Sequence, residues 1–276
     1  NSSLRLMKFS SLIYIGSIAI LLDQRIDVLF VSHFLDSESV AVYNYALKFT
    51  LIFLLFGNSI SRVTYPKLTR AFSLSSSDDI NRIFGYSLDF SFIALSILAL
   101  LFFFNASFVI DALLPSYYIQ AVPFLLILFI GIIPKAVVSS VGTMFTAKGI
   151  PSVSARINWL MLTVNVVLNI LLIPRWGLYG AATATATSFF IRPFFVYYLL
   201  KKHLDLDYSI QRILLGFIFF WGLLLAGNFI ESIVVKELLI LVYASYCILL
   251  FLKKEEKRYL LSGMNQLKLG FNKLKK

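Results

Sequence analysis

Three ionisable residues, Asp23, Arg25 and Asp27, crowd into the apolar run 9–34, and a fourth, Lys135, directly follows Pro134 in the apolar run 121–147. A charge at the centre of a spanning helix costs about 2.5 kcal/mol or more. Each of these residues therefore marks either a polar route or a partner on a neighbouring helix. Asp23 and Asp27 are four apart and share a helical face, where like charges repel, which makes them candidates for coupling to a proton or sodium ion. Arg25 points about 200° away from either aspartate at ~100° per residue, which argues against an ion pair within that helix. Lys135 lies beside the kink that proline imposes by removing a backbone donor. A cation there can face a hydrated cavity and accept an anionic group; the competing reading is an ion pair with Asp23, Asp27 or Asp89. Arg192-Pro193 repeats the arrangement nearer a helix end, where snorkelling is the alternative. Arg62, Lys48 and Asp89 also stand close to the ends of their runs.

Neutral polar residues have a blander reading. Asn165 and Asn169, four apart, suit hydrogen bonds across helices, and Gly180, Ala184 and Ser188 form a small-residue face for close packing. No phosphate-loop motif, nucleophile elbow or Ser/His/Asp arrangement occurs. His33, His203 and Cys247 are isolated, so neither catalytic residues nor a metal or cofactor site is indicated.

The elements that must position these groups are membrane helices. Of 276 residues, 59% are hydrophobic and 14% charged, with a mean hydropathy of +0.84; soluble domains are roughly 45–50% apolar and about 25% charged. That excludes a soluble enzyme. The net charge of +11 is dispersed between apolar segments, which excludes a nucleic-acid stripe. About eight runs are long enough to span, at 9–34, 45–65, 84–104, 121–147, 157–173, 178–199, 213–230 and 238–252. Runs apolar on every side, with no alternation, predict helices and not a barrel. Lys and Arg gather in alternate loops, which predicts that both termini are cytoplasmic. In the tail, Leu260, Met264, Leu267, Phe271 and Leu274 recur at helical spacing among lysines, as in a basic amphipathic helix on an anionic leaflet.

The motifs then resemble a family. The stretch Ala147-Lys148-Gly149, the asparagines at 165 and 169, Leu172-Ile173-Pro174 and Gly177-Leu178-Tyr179-Gly180-Ala181-Ala182 are similar to the late helices of polysaccharide flippases. That superfamily also holds multidrug extruders and the lipid II flippase. Asp27, Val42-Tyr43-Asn44-Tyr45-Ala46 and Tyr65-Pro66-Lys67-Leu68 fit its earlier helices. The resemblance covers roughly residues 10–200. It implies an all-α polytopic fold in which residues 1–200 form one six-helix lobe of a two-lobed exporter. On that reading 201–252 is an additional helix pair, 253–276 is the cytoplasmic tail, and the N-terminal lobe is missing from the chain, as the Asn1 start also suggests. It further implies a transporter, not an enzyme, in a bacterial cytoplasmic membrane. The cargo would be an oligosaccharide, such as an O-antigen or other lipopolysaccharide unit, on polyprenyl pyrophosphate, with polymerase machinery as a partner. Arg25 and Lys135, then Arg62 and Arg192, would meet the pyrophosphate, and Asp23 and Asp27 would couple an ion. A lipid II flippase, or a multidrug antiporter with a more acidic cavity, is the alternative within the superfamily. A glycosyltransferase or polymerase using Asp36 and Glu38 would need larger outer loops.

Overall fold

The computed structural model describes residues 2–204, 206–227, 229–230 and 232–251; the expected amphipathic tail helix lies outside them. Every regular element among the described residues is helical, because backbone polar groups in lipid must be satisfied within their own segment. The order is α1 (Ser2–Asp23), α2 (Ile26–Phe34), α3 (Ser37–Ser73), α4 (Ser77–Phe104), α5 (Ala106–Leu113), a 3-10 turn (Ser116–Ala121), α6 (Val122–Ser139), α7 (Met144–Ala147), α8 (Pro151–His203), α9 (Gln211–Gly227) and α10 (Ile233–Phe251).

Two departures from the sequence reading shape the interior. Run 9–34 is expected as one helix, but it breaks at Gln24–Arg25, where the Arg25 N–H donates to the Leu22 carbonyl at 2.9 Å instead of reaching back four residues. Asp23 and Asp27 therefore end one helix and begin the next. The runs 157–173 and 178–199 instead merge into α8, whose 53 residues would extend about 80 Å, more than twice a hydrocarbon core. The chain turns back inside α8 at Gly177, with φ 54° and ψ −132°, a backbone state that favours glycine. Counting α1 and α2 as one pass and α8 as two, the apolar helices agree with the expected architecture.

Residues 2–209 form one compact unit. Here α8 packs against α1, α2 and α6, and α3 against α4 and α6. Small residues permit this: a Cβ on Gly57 would collide with the Ala136 carbonyl oxygen, and one on Gly131 with that of Ala186. Phe53, Phe102 and Phe129 interlock between α3, α4 and α6, with centroids 4.9–6.1 Å apart. Caps set the helix starts outside the core: the Ser39 N–H donates to Asp36 Oδ1 at 2.7 Å, and Ser76 caps α4. Next to α4, Tyr208 lays its ring edge-on to Phe84 and donates its hydroxyl to Asp89. Asp89 is thus engaged by a tyrosine, and Lys135 takes another partner.

Residues 210–251 belong to a second unit. There α9 and α10 are zipped by aromatic rings: Phe219 stacks on Tyr243 at 5.7 Å and meets Tyr246 at 4.6 Å. In both units many large apolar side chains are exposed, Phe108 at 74% and Ile218 at 69% among them. Such surface suits acyl chains, and the chain is a multi-pass membrane protein.

Candidate functional site: a charged cavity and a buried aspartate among amides

The first cluster is organised around the end of α1. Asp23 is the last residue of that helix and is 6% exposed, with α8 packed against α1. Lys135, 8% exposed and one residue past Pro134 inside α6, donates from Nζ to Asp23 Oδ2 at 3.0 Å. Its ammonium also lies 3.3 Å from the centroid of the Phe189 ring. A second cation comes from the returning arm of α8. Arg192 donates to Asn158 Oδ1, and Asn158 in turn donates to the Gly16 carbonyl at 3.2 Å, which ties that cation to α1. Asp23, Lys135, Arg192 and Asn158 line one cavity of about 300 Å³, together with Ser61 and Thr143, whose hydroxyls are 2.9 Å apart. Asp23 Oδ1 has no hydrogen-bond partner among the described residues. Two cations thus face one carboxylate in a cavity that hydroxyl and amide groups also line, an arrangement able to hold a phosphate by charge-assisted hydrogen bonds.

The second cluster surrounds Asp27, 1% exposed in the first turn of α2. Its Oδ1 accepts from the Asn169 side-chain amide at 2.7 Å, and the same amide donates to Asn165 Oδ1. Thr185 also faces the carboxylate, and its hydroxyl lies 3.1 Å from that of Tyr43. All four partners are buried, and Asn169 Oδ1 is unpartnered among the described residues. Carboxylate, amide and hydroxyl oxygens are hard donors, suited to a proton or a small cation and not to a soft transition metal. No group of three or more His, Cys, Asp or Glu gathers among the described residues.

The structure thus brings together Asp23, Lys135 and Arg192, and sets Asp27 apart from them. Arg25 and Arg62 are exposed and do not line the cavity. Asn158, Tyr43 and Thr185 are the members that sequence reasoning missed. A signal for two of them exists in the turn of α8. Asn158 and Arg192 lie 17 residues either side of Arg175, and Asn165 and Thr185 lie 10 either side, so a helix folding back there brings each pair face to face.

A family profile described as lipid II flippase MurJ matches residues 4–265. An uncharacterized membrane protein of Methanocaldococcus jannaschii is 27% identical over 205 residues, which is 72% of this chain and 40% of that protein. A probable low-salt glycan biosynthesis flippase of Haloferax volcanii is 24% identical over 224 residues, 80% of this chain and 47% of that protein. Among solved structures, a lipid II flippase MurJ in an inward closed conformation superposes with a TM-score of 0.65 at 18% identity, covering 84% of this chain and 52% of that one. At that identity the likeness speaks for the fold. The chain spans about half the length of the proteins it matches.

Proposed function

The chain belongs to the lipid II flippase MurJ family, and on that premise we propose that it forms one lobe of a flippase moving a polyprenyl-pyrophosphate-linked oligosaccharide across the cytoplasmic membrane. The observation that carries this reading is the cavity in which Lys135 and Arg192 face Asp23. The bilayer already solvates a polyprenyl tail, so the protein's task is to pass the sugar and the pyrophosphate. Lys135 and Arg192 hold phosphate oxygens by charge-assisted hydrogen bonds. At about 300 Å³ the cavity stands at the lower limit for even a drug-sized ligand. It admits phosphate groups, and the sugar travels outside it, along surface where Arg25 and Arg62 are exposed.

The opposite wall of the route is a second lobe of the same protein, and the two open alternately to either side. Asp27, with Asp23 beside it, couples that motion to a proton or sodium ion. Both termini of the chain face the cytoplasm, and the delivered units feed a polysaccharide polymerase. A second reading shares all of this chemistry: the cargo is lipid II itself. The description of the matching family favours it, whereas the haloarchaeal relative favours a glycan unit.

The test is made in the full-length protein. Replacing Arg25 and Lys135 by glutamine stops export of the lipid-linked sugar while its cytoplasmic synthesis stays normal, compared at matched amounts of protein in the membrane. Undiminished surface glycan in that double variant would remove both residues from the route. Accumulation of lipid II in place of a lipid-linked glycan selects the second reading.

A further inference from the structure

Asp89 is an ionisable side chain in the apolar helix α4 that neither the cavity nor the Asp27 cluster uses. A carboxylate in a span is costly unless something satisfies it, and the group that does so here does not come from another span. It is the hydroxyl of Tyr208, in the segment between the end of α8 and the start of α9. Residues 206–209 have no helical structure of their own and lie along α4. The Asp207 N–H donates to Asn81 Oδ1 at 3.0 Å, and the Tyr208 hydroxyl donates to Asp89 Oδ1. Between these two bonds the Tyr208 ring stands edge-on to Phe84, centroids 5.3 Å apart, and passes over Gly85, whose Cβ, if present, would lie 3.4 Å from it. Asn81, Gly85 and Asp89 follow one another at a spacing of four, so they share a face of the helix. That face offers an amide, a gap and a carboxylate in the order in which the segment needs them. The flank of α4 toward α6 is bonded as well: Ser140 Oγ donates to the Ser87 carbonyl at 3.3 Å. Ser140 sits in the break between α6 and α7, and its neighbours Ser139, Gly142 and Thr143 line the cavity.

We infer that residues 206–209 are a latch with Asp89 as its catch: docked, they brace α4 against α6 and steady the α6–α7 break in the cavity wall, and they let go of α4 during transport. The inference rests on the flippase reading for its role in transport and on geometry for the rest. The docked state is favoured because a lifted Tyr208 leaves a carboxylate in an apolar helix without its donor. A hydrogen bond to a charged acceptor biases such an equilibrium by about tenfold or more. The docked state is also easy to leave. An extended segment held by two side-chain bonds and one ring edge has far fewer fastenings than the helices around it, and moving parts are drawn from such low-stability elements. Asp89 and Tyr208 are half-buried, not sealed, so water can take over their bond when the segment lifts. Leu204, buried at the end of α8, anchors the chain just before the latch, which confines the motion to the residues that follow it.

Amide hydrogen exchange of the purified full-length protein in nanodiscs reads the latch directly. Tyr208→Phe keeps the ring on Phe84 and loses only the hydroxyl; it is expected to speed exchange of the Asp207 amide by about tenfold. Exchange over residues 140–147 rises with it, while the amides around Asn165 keep their wild-type rates. Asp89→Asn retains an oxygen to accept from Tyr208 and loosens the segment less. In a Ser140→Ala background, Tyr208→Phe still frees the Asp207 amide but no longer changes 140–147. An Asp207 amide protected as in wild type in both Tyr208→Phe and Tyr208→Ala overturns the docking. A freed Asp207 amide with 140–147 unmoved overturns the brace. Release during transport is tested by fastening the segment down. Gly85→Cys and Tyr208→Cys are joined, in a Cys247→Ala background, by a short cleavable bifunctional thiol reagent, and the protein is placed in liposomes. The linked protein is expected to move lipid-linked sugar at a small fraction of the rate that returns when the link is cleaved. Equal rates before and after cleavage show a static brace and overturn the release. The expected exchange pattern in a wild-type protein that moves no lipid-linked sugar counts against the flippase reading and leaves the brace standing.

Discussion

Asp23 and Asp27 are four residues apart, both buried and of the same chemistry, yet the fold treats them in opposite ways. Asp23 receives a full positive charge from Lys135 at 3.0 Å, while Asp27 receives the neutral Asn169 amide at 2.7 Å. The break at Gln24–Arg25 makes this possible, because it detaches the two carboxylates from a common helical face. Asp23 is paired with an ammonium. Amide and hydroxyl partners tolerate Asp27 with or without its charge, since they can satisfy either state. One carboxylate thus has a charged partner and the other neutral ones, and the proposed ion coupling rests on that contrast.

The largest test of that contrast removes the cation. Lys135→Leu leaves Asp23 buried without its counter-charge, and breaking a buried pair from one side costs about 3–5 kcal/mol. The double variant Asp23→Leu/Lys135→Leu should recover most of that loss in thermal unfolding of the detergent-solubilised protein. If the single variant unfolds at the wild-type temperature, Asp23 is not held by Lys135 and the contrast fails.

The next effect separates the clusters by moving one wall. Gly131 lies one turn before Lys135 on α6 and abuts the Ala186 carbonyl of α8. Gly131→Val must push α6 away, an overpacking cost of about 1–3 kcal/mol. It displaces Lys135, whereas Asp27 keeps its contacts from α2 to α8. Pyrophosphate affinity should fall while the sodium requirement of transport stays put; a matched loss of both would mean that the clusters are one unit.

Asp27→Asn is expected to be milder than either. The asparagine keeps an oxygen to accept from Asn169, so only the charge assistance goes, a loss of about 1 kcal/mol. Its signature is functional: transport that no longer responds to sodium or to the proton gradient, at near-normal unfolding temperature. A loss as large as that of Lys135→Leu would show that the charge of Asp27 is itself structural.

These contrasts were partly legible in the amino-acid order. Hydropathy located the apolar passes because lipid exposure acts on every residue of a span, and the charge of Lys135 in such a run pointed to a partner that included Asp23 among its candidates. The choice among Asp23, Asp27 and Asp89 was not legible, because it depends on packing between helices 112 residues apart in sequence and on Tyr208 taking Asp89. Nor was the break at Gln24–Arg25. Neither residue is a proline or glycine, so no local backbone preference announces it. Asn165 and Asn169 read as glue between helices, and Asn169 does bond across helices; that its partner is a carboxylate emerges only from the folded arrangement.

The smallest effect belongs to an aqueous control for Asp27. Asp36 at the start of α3 also accepts from an N–H, that of the Ser39 backbone at 2.7 Å, but it stands in solvent outside the spans. This hydrogen bond holds its carboxyl below the ordinary carboxylate range. The folded-state value is thus lower than the unfolded one, so the cap's contribution is fully present above the unfolded value, about pH 4, and is lost as pH falls through the folded value. Exchange of the Ser39 and Val40 amides should quicken only in that acid range. Asp36→Asn keeps a capping oxygen and should abolish the pH dependence while leaving the neutral-pH rate nearly unchanged. Because water can replace the cap, transport at neutral pH should be indifferent to this substitution, while the same Asp→Asn change at position 27 removes ion dependence. If Asp36→Asn also altered the sodium response, the distinction between a solvated and a buried amide-bound carboxylate would have no functional meaning here.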